Sequence, residues 1–188
     1  PTLAGGDPTP YNEIFDTIYI EADNETWNSM FAWTFHGDPN ASSGGESYGR
    51  FAEMLFRSMT SSDLWQADSE GMDEDFVFVV NGFNSNSSYG QQAAIAAPSA
   101  EIVDLAPYLG GWESGTYIGG NELTDEGFSD WMLYAPWKHY RQVDGHVNKL
   151  VEAAAQRPAA YRLGVYEGGP GYDLPGPNNP SGIVPESY

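Results

Sequence analysis

The sequence contains no cysteine, which removes disulfides, thiolate nucleophiles and cysteine-held zinc from consideration. Basic residues are scarce: seven Lys and Arg stand against 27 Asp and Glu, a formal net charge of −20. Such a chain lacks the positive charge that displaces counterions from nucleic acid or anionic lipid, so neutral or cationic partners are expected and nucleic acid is not. No apolar run approaches the ~18 residues of a membrane span. The opening PTLAGGDPTP has neither the basic start nor the apolar centre of a signal peptide. Because it begins at Pro1 rather than methionine, a processed or partial product is expected. The histidines, His36, His139 and His146, form no closely spaced ligand pair, so no metal site or other cofactor is expected.

What is present suffices for a core. Of 188 residues, 40% are hydrophobic and 14% aromatic, well above the composition of a disordered acidic tail. The length suits one domain but falls short of the roughly 250 residues of an α/β barrel.

Along the chain, β-branched and aromatic content predicts a strand from Phe15 to Ala22, and HGDPNASSGGES predicts a loop. Residues 48–59 place Phe51, Met54, Leu55 and Met59 at helical spacing, with Ser47 as N-cap. The acidic segment Asp68 to Asp75 lacks the spacing of a calcium loop and reads as a solvated face. It leads into FVFVV, a continuous apolar run expected of a strand buried on both sides. NGFNSNSS reads as a loop, residues 89–97 as a short helix, and EIVDLAPYLGGW as a strand ending in glycines. A long aromatic insert follows, with Trp112, Tyr117, Trp131, Tyr134 and Trp137. A helix is predicted over 142–157 with Val143, Val147, Leu150, Val151 and Ala154 on one face, then a strand YRLGVYEGG. Residues 168–188 are dominated by Pro, Gly and Asn and are expected to be extended.

Strands alternating with helices indicate an α/β fold of parallel βα units, with chemistry at the C-terminal strand ends. Period and composition alone leave open an open sheet or part of a barrel.

Three short blocks are more specific. IYIEADNETWN, residues 18–28, resembles a Y-V-E-Y-S-N-E-x-W-N block of secreted bacterial proteins in clan A of the retaining glycoside hydrolases. Ala106 to Gly111 (APYLGG) and Tyr166 to Gly169 (YEGG) resemble two further blocks of those proteins, in the same order. Members often continue the last block with Gln-His, whereas Pro170 and Gly171 follow here. The resemblance implies about strands four to seven of a (β/α)8 barrel. It would occupy residues 1–167, followed by the extended segment 168–188, with the remainder of the barrel supplied by residues not in this sequence or by another chain. It also implies a secreted or cell-surface protein acting on carbohydrate.

Retaining hydrolysis uses two carboxyls about 5–5.5 Å apart, one giving a proton and one attacking the anomeric carbon. By resemblance, Glu25 is the acid/base and Glu167 the nucleophile. Asn24 would bond the sugar 2-hydroxyl, and Tyr108 would lie beside Glu167. Trp27, Trp112, Trp131 and Trp137 are candidates for stacking on sugar faces. Glu21 and Asp23 share a strand face with Glu25 if pairing stays regular, and a buried Glu21 requires a basic or hydroxyl partner. The alternative to an enzyme is a glycan-binding or surface-assembly protein derived from such a barrel.

Overall fold

The computed structural model describes residues 9, 11–28, 38–110, 125–166, 169–171, 175–176 and 179–183, with backbone alone at 69, 108–110, 125–136, 138 and beyond 168. Four strands form one all-parallel sheet: β1 (Ile18–Glu21), β2 (Phe76–Asn81), β3 (Ile102–Leu105) and, after a short strand β4 (Tyr108–Gly110), β5 (Arg162–Val165). Their spatial order is β1-β2-β3-β5, each strand beside its predecessor in the sheet. Helices α1 (Gly44–Thr60), α2 (Asp63–Gln66) and α3 (Ser69–Asp75) link β1 to β2, and α4 (Ser87–Ala96) links β2 to β3. Helix α5 (Asp125–Ala154) precedes β5.

Every crossover steps in one direction, and right-handed crossovers of that kind place all their helices on one side of the sheet. The helices do pack in sequence there, α1 on α4 and α4 on α5. A doubly wound sheet reverses its strand order at a switch point; among the described strands of this sheet there is no reversal.

Alternation sorts the strand side chains between the two faces. Phe78, Val80 and Val103 join the helix-side core, where Phe56 stacks on Phe78 at 4.4 Å. Tyr19, Glu21, Val79, Asn81 and Asp104 have the opposite parity. Because all four strands run parallel, their C-terminal ends share one edge.

Several boundaries differ from the sequence reading. The first strand starts at Ile18, because the Ile14 and Phe15 amides are committed to the Tyr11 carbonyl in a 3-10 turn at Tyr11–Glu13. It stops at Glu21, so the alternation expected through Glu25 is broken. Helix α1 starts at Gly44 with Ser43, not Ser47, as its cap, accepting from the Glu46 amide. Its buried row is Tyr48, Ala52 and Phe56, while Met54 points to solvent. The acidic segment, expected as a solvated face, is largely exposed and forms helix α3, and Asp73 accepts from the Trp65 indole at 2.9 Å.

Much of the expected aromatic insert belongs to α5, including Trp131, Tyr134 and Trp137. The buried side of α5 is set by His146 and Ala153, leaving Val147 and Val151 exposed. That rotation lets His146 Nε2 meet the Asn84 carbonyl at 3.1 Å. The C-terminal segment is extended where described: β6 (Gly169–Gly171) pairs parallel with β4, and β7 (Pro175–Gly176) pairs antiparallel with β8 (Asn179–Ile183).

Close packing of α1 on α4 depends on small residues. A Cβ at Gly49 would strike the Ala93 carbonyl oxygen and come within 2.8 Å of the Ala96 Cβ. Beside it Glu53, buried on α1, accepts from Arg57 at 2.6 Å and from the amide and hydroxyl of Ser99 at 3.0 and 3.1 Å. Helix α1 is thereby tied to the turn before β3.

Candidate active site

At the C-terminal edge the chain leaves β1 through a turn with unusual backbone. Asp23 has φ of 73° and Glu25 of 45°, a left-handed conformation that costs an L residue about 1–2 kcal/mol. Aspartate tolerates it by local bonding, here from the Asn24 amide to Asp23 Oδ1 at 2.8 Å. Glutamate lacks a side chain short enough for such a bond; its carbonyl accepts from the Asn28 amide at 2.7 Å within the turn, and the contacts around it supply the rest.

Both oxygens of the Glu25 carboxylate are engaged. Oε1 accepts from the Tyr166 hydroxyl at 3.2 Å and Oε2 from Asn28 Nδ2 at 3.1 Å. The first contact crosses the sheet from the end of β1 to the end of β5, joining residues 141 positions apart. Tyr166 reaches that position because Arg162, Gly164 and Tyr166 alternate onto the face opposite the helices. Gly164 is required beneath it: an added Cβ would stand 2.8 Å from Ile102 Cγ2 and 3.4 Å from Asp104 Cβ.

Below Glu25 lies a floor of polar side chains. Glu21 Oε1 accepts from Asn81 Nδ2 at 3.1 Å. The expected basic or hydroxyl partner for Glu21 is thus an amide, which can neutralise no charge. Glu21 is held above the ordinary carboxylate range by burial, opposed by the Asn81 bond and reinforced by Asp23 and Glu25. Asp104 is only 7% exposed, its Oδ1 has no hydrogen-bond partner among the described residues, and burial followed by repulsion from Glu21 pushes its pKa up to about 8. Tyr166 is also raised, by burial first and then by the charge and hydrogen bond of Glu25, with Asp104 and Glu21 contributing. The described ion pairs lie elsewhere: Arg50 with Asp38 and Glu46, Arg57 with Glu53, Lys149 with Glu152, and Arg162 with Glu101. Among the described residues no three acidic or imidazole groups converge as a metal ion would need, and no helix is long and apolar enough to cross a membrane.

The other expected site residues are distributed unevenly. Asn24 is exposed on the turn next to Glu25. Trp27 packs against the core edge with its ring stacked on Phe83 at 4.3 Å and 4°, so at most one indole face is open to a sugar. The backbone of Tyr108 pairs with Gly169, and Leu109 and Gly110 with Pro170 and Gly171, which sets the APYLGG block directly beside the YEGG block. Trp137 is exposed on α5. Glu167 and Trp112 lie outside the described residues, as do the side chains of Tyr108 and Trp131.

Two residues of this edge, Tyr166 and Asn81, were not anticipated. Period-2 alternation along RLGVY would have set Tyr166 on the Gly164 face. The sequence places Asn81 as the first residue of a loop, whereas it is the last residue of β2 and fully buried. Comparison of the chain with protein-family models, curated proteins and solved structures finds no match.

Proposed function

We propose that the chain forms four consecutive βα units of a (β/α)8 barrel and acts as a retaining glycoside hydrolase on a polysaccharide or oligosaccharide. Convergence carries the reading. Three blocks far apart in sequence meet at one edge: Tyr166 of the YEGG block bonds Glu25 of the DNETWN block, and Gly169 pairs with Tyr108 of the APYLGG block. Strand order without a switch point further supports a barrel over a doubly wound sheet.

In this reading Glu167 attacks the anomeric carbon as a carboxylate while Glu25 gives its proton to the departing glycosidic oxygen. A glycosyl ester on Glu167 results. Water then attacks that ester, Glu25 takes the water's proton, and both side chains return to their starting states. Tyr166 suits such a cycle because a hydroxyl can donate to the ionised carboxylate and accept from the acid. Asn24, exposed beside Glu25, is available to the sugar 2-hydroxyl.

The test is a panel of glycans offered to wild-type protein and to the Glu167→Gln variant. Wild type should hydrolyse at least one member, while the variant binds that glycan with unchanged affinity and does not cleave it. Wild-type protein that binds but cleaves none would replace the hydrolase with the alternative of a non-catalytic glycan-binding or surface-assembly protein.

A further inference from the structure

The turn that carries Glu25 leaves ordinary backbone twice within three residues, at Asp23 and at Glu25. One side chain grips the chain on both sides of that departure. Asn81 donates from Nδ2 to the Asp23 carbonyl at 3.1 Å and accepts at Oδ1 from the Thr26 amide at 3.0 Å. A single carboxamide therefore spans Asn24 and Glu25. An amide N–H can only donate, so the bond from Thr26 fixes which end of the Asn81 side chain is the oxygen.

The grip is itself braced. Thr26 Oγ1 gives its one hydrogen to Asn81 Oδ1 at 2.6 Å, so at 2.8 Å it must accept from the Tyr89 hydroxyl. Nδ2 also reaches the Tyr48 hydroxyl at 2.9 Å and Glu21 Oε1 at 3.1 Å, its two hydrogens being shared among three acceptors. The Asn81 backbone amide donates to the same Tyr48 oxygen at 3.1 Å. Through these bonds β2, α1 and α4 all bear on a turn of four residues.

We propose that Asn81 is a positioning residue: it holds the Asp23–Thr26 turn in its left-handed form and thereby sets the Glu25 carboxylate against the Tyr166 hydroxyl. An uncharged carboxamide offers both a donor and an acceptor at this separation, whereas a leucine side chain of the same shape offers neither. The effect on turnover rests on the hydrolase reading above; the effect on the turn does not.

Asn81→Leu tests it, with Thr26→Val as a milder variant should the first fail to fold. By NMR, wild type should show a slowly exchanging Thr26 amide and a through-space contact between the Tyr166 ring and the Glu25 side chain. Asn81→Leu should lose both while core amides of β2 and β3 stay protected; in Thr26→Val the amide at 26 should exchange at least ~10-fold faster, by loss of the hydroxyl contact. On a cleaved glycan, Asn81→Leu should lower kcat about 100-fold with KM little changed, as expected when a reacting group is displaced by about 1 Å. A merely structural asparagine would lower the melting temperature yet leave the Tyr166–Glu25 contact and kcat per folded molecule intact, and that result overturns the proposal. Wild type that cleaves nothing removes the hydrolase reading alone, because the exchange and contact measurements still decide the role of Asn81.

Discussion

Asp104 offers the most demanding test of this edge. Its carboxyl is buried on β3, one oxygen has no partner among the described residues, and its pKa is pushed from 3.8 to about 8, by burial first and then by Glu21. The native chain therefore keeps a proton that the unfolded chain releases. The contribution of Asp104 to stability falls as pH rises through that window and levels off above about 8. One retained proton corresponds to about 1.4 kcal/mol per pH unit. At pH 7 the handicap is roughly 4 kcal/mol, a large share of the ~5–15 kcal/mol that holds a typical domain together. Replacing Asp104 with Asn keeps the shape and removes the ionisation. Urea unfolding at pH 5, 6, 7 and 8 should show the Asn variant gaining on wild type at about 1.4 kcal/mol per pH unit, with the two nearly equal close to pH 4. Parallel curves for the two proteins would refute the reasoning, since they would mean that Asp104 ionises in the folded chain as easily as in the unfolded one.

Other expectations follow from single contacts. Tyr166→Phe removes the donor to Glu25 at 3.2 Å; on a cleaved glycan kcat should fall roughly 10- to 100-fold, the worth of a hydrogen bond to a charged group, with the melting temperature little changed. Gly49→Ala forces a methyl group against the Ala93 carbonyl between α1 and α4. It should destabilise by about 1–3 kcal/mol in denaturant unfolding. Glu53→Ala strips the buried acceptor of Ser99 and Arg57 and should cost about 2–4 kcal/mol by the same measurement, with circular dichroism showing that helix content persists.

Much of the fold was legible because its signals are local. FVFVV could belong to little other than a buried strand, and it lies at the sheet centre as β2. Residues 48–59 carried the helical period of α1, and Phe51, Leu55 and Met59 of the expected face do pack against the core; Met54 alone points to solvent, and the centre of the face lies on Tyr48, buried for its bond to Asn81 as well as for its ring. The N-terminal half of α5 escaped notice since its aromatic residues follow no single apolar stripe and Pro136 lies among them. At the edge, Glu25 could be singled out by its motif; Asn81 and Tyr166 could not, since each acts on a residue more than fifty positions away.

By itself the sequence determined the main strands and helices, the first half of α5 excepted, and that the chain is acidic, for these depend on side-chain period and composition. Strand order, the uniform direction of the crossovers and the meeting of Glu25 with Tyr166 were decided only by tertiary structure. The left-handed turn at Asp23 and Glu25 belongs there too. Glutamate does not favour that backbone, and the bonds from Asn81 that brace the turn exist only once β1, β2, α1 and α4 have packed together.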